Sequence, residues 1–372
     1  MTIAVHTGFL SEGQPGDHEH FIFECLTRLT AKHPEHQFLY IFNKPGPWNQ
    51  VLSKNAATII SGPQTTNTLL WQYWFNYTLP ALLRKHKADG FISMGGICSL
   101  HTKLPQCLVV QDLAYLQYPR FLKRSQVRFF KKFMPSFLAK AKSIATVSQF
   151  AKLVIVDQYK IDADKIDVVY CGIGEIFKPA EPEEKEIIKE KYTGGREYFL
   201  SPCNAGPGNN LINLLKAFSF FKKRQKSNMM LVIAGKPDEE FTKQLRTFKF
   251  RNDVRVLENL SKEGEAKITV AAYAMVYPVL YAGFAMAPLQ AMQCEVPVVT
   301  GNRGALPELC GHAALYSDPD DFKDIAENMM LVFKDEDRAK ELVKAGKIQA
   351  RLYQWDKTAE LLWQSILKAI NN

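Results

Sequence analysis

The stretch "YPVLYAGFAMAPLQAMQCEVPVVTGNRG", Tyr277 to Gly304, decides the fold. An apolar run ends in a glycine turn, a helix follows with Pro288 in its first turn, and "VPVVT" reads as a second buried strand. Pro288 suits that place because its missing N–H would have no partner in a first helical turn anyway. Strand, helix and strand in this order form the crossover of a doubly wound parallel sheet, and such sheets bind ligands beyond the carboxyl ends of their strands. Yet no side chain from Ala282 to Gln290 is charged. What the turn offers a ligand is backbone amides and the Gln290 amide, which can hydrogen-bond sugar hydroxyls. A plain crossover helix fits the same pattern.

The alternation continues on both sides. "TIAVHTG", "HQFLYIFN", "DGFISM", "QCLVVQD", "SIATVS" and "KIDVVYCGI" are strand-like runs, separated by helical stretches such as 69–86 and 120–142. The proline- and acid-rich "GEIFKPAEPEEKEIIKEKYTGGRE" then interrupts the pattern and makes a domain boundary. A second cycle follows in "EYFLSPCN", "MMLVIAG", "VRVLEN", "AMVYPVL", "VPVVT" and "AALYS", with helices at 211–224, 239–249, 262–271 and 288–293. Helices at 319–333 and 336–353 and the segment "WDKTAELLWQSILKAI" end the chain. The 372 residues thus divide into an N-terminal Rossmann-like domain over 1–180, a C-terminal one over 181–352 and a closing helix over 353–372.

Composition narrows the class of protein. With 47% hydrophobic and 23% charged residues the chain is globular, and no run approaches the roughly 20 apolar residues of a membrane span. The first residues resemble no signal peptide, so the expected location is cytoplasmic. Seven cysteines stand singly and are expected to be buried thiols. A net charge of +9 favours an anionic partner. It is concentrated from Arg120 to Lys142, where eight Lys or Arg and five Phe occur without an acid. That segment fits a helix packed on the first sheet by its aromatics, and equally one attached to the anionic inner face of a membrane. No nucleic-acid recognition module is present.

Three further loops can carry chemistry. "SPCNAGPGNN" is either a tight connection or an anion cradle in which Gly206 and Gly208 admit backbone amides to a phosphate and Asn209 or Asn210 caps the next helix. In "VVQDLAYLQYP", Gln111 and Asp112 leave the end of a strand, where an Asp more often caps a turn than acts as a base. In "GDHEHF", His18 and His20 lie two apart on a helix and face different sides, which argues against a metal site.

Together these segments resemble the retaining glycosyltransferases of family 4. Tyr277 to Asp321 follows that family's P-S-x-x-E-G-F-G-x-P-x-L-E-A-M-A-x-G-x-P-V-V signature with its later P-E and D-P-x-D, and "TVSQFAK", "KIDVVYCGIGEIFKP", "YFLSPCNAGPGNNLINLLKAF" and "YQWDKTAELLWQSI" extend the likeness over almost the whole chain. The resemblance implies the GT-B fold: two Rossmann-like domains facing a central cleft, with the last helix crossing back to the first. It also implies a UDP- or GDP-linked sugar as donor, a glycan or lipid-linked acceptor, no cofactor and no catalytic metal.

Several family positions hold different residues here. Ala282 and Gln290 stand where the family has glutamates at the donor sugar and the ribose, Gly208 and Asn209 where it has the Arg and Lys of the donor diphosphate, and Gln111 where most members have a sugar-site His. Glu295 replaces a habitual glycine. Gly283, Phe284, Pro288, Pro297, Asp112, Pro307 and Glu308 match the family. By resemblance the donor loop is Gly283, Phe284 and Ala285, and Gly13, Gly16 and Asp112 belong to the N-terminal side of the cleft. Arg303 and Lys236, each near the end of a strand, are candidates for a relocated cation. Two readings follow: a member with weak or lost transferase activity that serves through a protein partner, or an active hexosyltransferase with a rearranged donor site.

Overall fold

The computed structural model of the chain describes residues 1–7, 17–45, 53–65, 67–203 and 207–371. They form two compact units, one of Met1–Gly172 with Gln354–Asn372 and the other of Ile173–Tyr353. The first holds seven strands, β1 (Thr2–His6), β2 (Gln37–Phe42), β3 (Ala56–Ile60), β4 (Gly90–Ser93), β5 (Gln106–Val110), β6 (Ser143–Thr146) and β7 (Ile166–Val168), in the order β3-β2-β1-β4-β5-β6-β7. Every pairing is parallel. Strands covered by helices on both faces need continuous apolar sequence, and β4, β5 and β6 are buried along their whole length. The strand order reverses between β1 and β4, which makes the loops after those strands the place to look for a ligand.

The second unit repeats the plan with six strands, β8 (Tyr198–Pro202), β9 (Met230–Ala234), β10 (Val254–Leu257), β11 (Ala274–Tyr277), β12 (Val298–Gly301) and β13 (Ala314–Ser317), in the order β10-β9-β8-β11-β12-β13. Phe199, Phe218, Phe221, Phe241 and Met329 fill its core. Its order reverses between β8 and β11.

The last helix, Trp355–Asn371, belongs to the first unit. Trp363 stacks on His33 with ring centroids 3.9 Å apart, and Ser143 Oγ donates to the Ser365 carbonyl at 2.7 Å. All seven cysteines are buried without a disulfide, and burial pushes thiols such as those of Cys203 and Cys294 up to about 12.

Several elements differ from expectation. The β3 strand was not anticipated: it is a short edge strand, AATII, more exposed than buried. Residues 69–86 form a helix, Thr68–Tyr73 then Leu79–Lys85, joined by a π turn over Trp74–Thr78. The stretch from Arg120 to Lys142 divides into a 3₁₀ turn, Pro119–Phe121, and the helix Arg124–Lys140. The helix expected from residue 319 starts at Phe322, because the Asp321 carboxylate caps it by accepting from the Lys323 N–H at 2.8 Å. The acidic boundary stretch contains a helix of its own, Pro182–Thr193.

At the end of β1, His6 is completely buried with its ring 5.0 to 5.5 Å from those of Trp71, Trp74 and Phe75. Desolvation holds its pKa down at about 3. The unfolded chain takes up a proton there below about pH 6.5 and the folded chain does not, so stability is full above that pH and is lost as pH falls toward 3. Urea titrations from pH 6.5 to 5 are expected to give a steeper loss for the native chain than for His6→Leu, by about 1.4 kcal/mol per pH unit. Equal slopes would contradict this account of His6.

Candidate functional site

In the second unit the carboxyl ends of β8, β9, β11 and β12 bring together the loops singled out by sequence. The Gly208 carbonyl, in a 3₁₀ turn over Pro207–Asn209, accepts from the Leu280 N–H at 3.0 Å. The Ala282 carbonyl accepts from the Ala305 N–H at 2.9 Å. The uncharged turn is thus tied by its backbone to the loop after β8 on one side and to the loop after β12 on the other. Its side chains contribute little to that attachment.

The helix that follows is Met286–Gln293, with Ala285 at its N-cap and no side-chain cap bond. Ala282 and Ala285 are buried, and Phe284 meets Tyr353 edge to face at 6.3 Å. Gln290 is half-buried and its amide has no hydrogen-bond partner among the described residues, which leaves it able to bind a hydroxyl. Asn210 is a correction to the capping expectation. It adopts a left-handed backbone, φ +59, with no side-chain cap bond. Its amide instead donates to the carbonyls of Pro278 at 2.9 Å and Pro319 at 2.6 Å, binding three loops together.

The two candidate cations differ. Arg303 Nη2 lies 2.7 Å from carboxylate oxygens of both Asp318 and Asp320. Its charge is answered within the protein. Lys236 is exposed and forms no salt bridge among the described residues.

Two backbone positions in this rim test the packing. Gly304 has φ +65, and a Cβ there would stand 2.5 Å from the Ala282 carbonyl oxygen. Glu295, where the family has glycine, has φ +59 and pairs with Lys347 at 2.6 Å.

In the first unit, Gln111 and Asp112 follow β5. Asp112 Oδ1 accepts from the Ala114 N–H at 2.7 Å, the turn-capping role expected of it. Gln111 lines a cavity of about 420 Å³ with His18, Thr68, Trp71, Tyr115 and Phe130. Its Nε2 is buried and has no hydrogen-bond partner. His18 lines the same cavity, and burial lowers its pKa against the opposing effects of Glu19, Gln111 and Asp112. His20, two residues on, turns to the opposite side and meets Trp355 edge on at 5.3 Å. Gly13 and Gly16 lie outside the described residues. In sequence His18 stands out only beside His20 as a metal-ligand pair; its approach to Gln111 depends on a helix after β1 reaching the end of β5, which no local pattern reveals.

Two units, each a parallel sheet with helices between its strands, define the Rossmann-like class of α/β architecture. The comparisons with known proteins specify it. Residues 182–349 match the family model "Glycosyl transferases group 1" and residues 18–174 match "Glycosyltransferase Family 4". The chain belongs to these family-4-like glycosyltransferases of GT-B fold. It is 27% identical to O-antigen chain mannosyltransferase B of Escherichia coli over 249 residues, which span 66% of this chain and 65% of that protein. It is 26% identical to O-antigen chain mannosyltransferase RfbU of Salmonella typhimurium, over 72% of each chain. The solved structure of Anabaena HepE in complex with UDP and glucose superposes with a TM-score of 0.77 at 14% identity over 99% of each chain.

A left-handed residue other than glycine costs about 1–2 kcal/mol, and a close carbonyl adds to it. Gly304→Ala is expected to destabilise the chain by about 2–3 kcal/mol in chemical denaturation. Glu295→Gly is expected to stabilise it by about 1 kcal/mol, since the exposed pair it removes contributes less than the strain it relieves. A stable Gly304→Ala variant would contradict the close packing of these loops.

Proposed function

We propose that this chain is a glycosyltransferase-family protein of cell-surface polysaccharide or glycolipid synthesis whose nucleotide-sugar transferase activity is weak or lost. The supporting observation is the state of the donor half. As a glycosidic bond to a diphosphate breaks, negative charge grows on the leaving group and needs fixed positive charge beside it. Gly208 and Asn209 supply none, and Arg303 is already held by Asp318 and Asp320. Each missing charge-assisted contact costs about 1.5–3 kcal/mol, so loss of two amounts to a factor on the order of 10² to 10⁴ in donor affinity or rate. A chain of this kind would act through a protein partner in the pathway.

The second reading is an active retaining hexosyltransferase with a rearranged donor site. It is favoured by the mannosyltransferase names of the relatives and by the exposed Lys236 at the rim. The relatives' names make GDP-mannose the first donor to try, with UDP-glucose as the comparison. Calorimetric titration separates the readings. The proposal predicts no binding of either donor below millimolar concentration, and at least about tenfold tighter binding by a Gly208→Arg, Asn209→Lys double variant. Micromolar binding and turnover by the unmodified chain would establish the second reading.

The anionic partner is proposed to be a membrane surface. On the helix Arg124–Lys140, Phe129 and Phe137 are buried while Arg124, Arg128, Lys131 and Lys132 are exposed and form no salt bridge among the described residues. The neighbouring Thr68–Tyr73 helix and its π turn expose Leu69 (68%), Leu70 (50%), Tyr73 (62%) and Tyr77 (57%). Cations beside an exposed apolar ridge suit an anionic bilayer, at about 1 kcal/mol for each cation near the surface. No helix among the described residues is long and apolar enough to cross a membrane. The chain is expected to sediment with phosphatidylglycerol vesicles at low salt and to be released at high salt, and a Lys131→Glu, Lys132→Glu variant to stay in solution. Absence of binding at low salt would contradict this attachment.

A further inference from the structure

The second unit carries two exposed apolar ridges of opposite charge. On the helix Pro182–Thr193, Ile187 is 70% exposed and stands one turn from Glu183 and Glu184 on one side and from Glu190 on the other. On the helix Glu336–Ala350, Ile348 is 62% exposed and lies one turn after Lys344. Arg351 and Leu352, the latter 55% exposed, continue its line past the helix end. Nearby charges are answered, Glu186 by Lys189 and Lys347 by Glu295. Glu183, Glu184, Glu190, Lys344 and Arg351 are exposed and form no salt bridge among the described residues.

Both ridges belong to one layer of helices. Pro182–Thr193 packs against Lys262–Val270, that helix against Met286–Gln293, and Met286–Gln293 against Glu336–Ala350. The crossovers through Lys262–Val270 and Met286–Gln293 step across the sheet in the same direction, from β10 to β11 and from β11 to β12, so right-handedness puts them on one face. A face with an acidic ridge and a basic ridge complements itself after a two-fold rotation.

A single exposed isoleucine needs no explanation, and charges at helix ends often answer the helix dipole. The dipole accounts for Glu183 and Glu184 in a first turn and for Arg351 at a C-terminus. It does not account for Glu190, an acid in the last turn of its helix, nor for apolar side chains held out among like charges. A foreign partner of either sign would satisfy one ridge and be repelled by the other, and an anionic membrane would meet the acidic one. A second copy of the chain satisfies both at once.

We propose that this face joins two copies of the chain in an isologous dimer, with the acidic ridge around Ile187 of each copy lying on the basic ridge around Ile348 of the other. The exposed isoleucines and Leu352 then bury their apolar surface among ion pairs. Nothing in this arrangement depends on donor binding, so its failure would leave the donor titrations unaffected.

Sedimentation velocity on the full chain tests it. The native chain is expected to dimerise at tens of micromolar in low salt and to shift toward monomer as salt rises. Glu183→Lys, Glu190→Lys makes both ridges basic, and Lys344→Glu, Arg351→Glu makes both acidic. Each double variant alone is expected to self-associate at least about tenfold more weakly than the native chain. Mixed in equal amounts, the two are expected to form a heterodimer within about threefold of the native affinity, because every ridge then meets one of opposite sign. Ile348→Ser is expected to weaken the dimer while leaving its salt dependence in place. Melting temperatures of the variants separate loss of folding from loss of association. A native chain that stays monomeric under these conditions would overturn the proposal. So would charge-swapped variants that dimerise like the native chain, or a mixture of the two that stays monomeric.

Discussion

The segment from Leu280 to Ala282 is held from two sides by main-chain hydrogen bonds, from the Leu280 N–H to the Gly208 carbonyl and from the Ala305 N–H to the Ala282 carbonyl. The reversal of strand order between β8 and β11 brings these loops together, and the main chain then joins them. Gly235 after β9 is part of the same packing: with φ +120, any Cβ there would run into the Cys203 carbonyl oxygen. The Asn210 amide adds side-chain bonds to the Pro278 and Pro319 carbonyls, while the turn from Ala282 to Ala285 is held through its backbone.

The same division explains what could be read in the sequence. Buried parallel strands require unbroken apolar runs, and crossovers require helices between them, so twelve of the thirteen strands among the described residues were visible as runs. The exception, β3, sits at an edge where water accepts polar and apolar residues alike. The family signature was legible for a related reason. Its surviving members, such as Gly283, Pro288 and Pro297, shape the backbone. Glu295 shows how strongly that geometry is imposed, since it adopts a left-handed backbone, φ +59, although it is not glycine.

The chemistry was less legible, because it depends on which side chains already have partners. Arg303 looked available as a free cation at a strand end, although Asp318 and Asp320 stand only fifteen and seventeen residues along the chain. The short loop after β13 is what turns them onto it. Asn210 was expected to cap a helix and instead ties three loops together. His18 and Gln111 are 93 residues apart, and only the adjacency of β1, β4 and β5 in the sheet brings them to one cavity.

Arg303 is held at this rim by two carboxylates. If its two carboxylate partners are what keep its charge from a donor, Asp318→Asn, Asp320→Asn should release it without altering the main-chain joints of the rim. The direct measurement is calorimetric titration of that double variant with GDP-mannose beside the native chain, with melting temperatures confirming that both are folded. At least about tenfold tighter binding by the variant is predicted. Equal binding by the two, or micromolar binding by the native chain, would contradict the claim that this pairing leaves the donor half without its counter-charge.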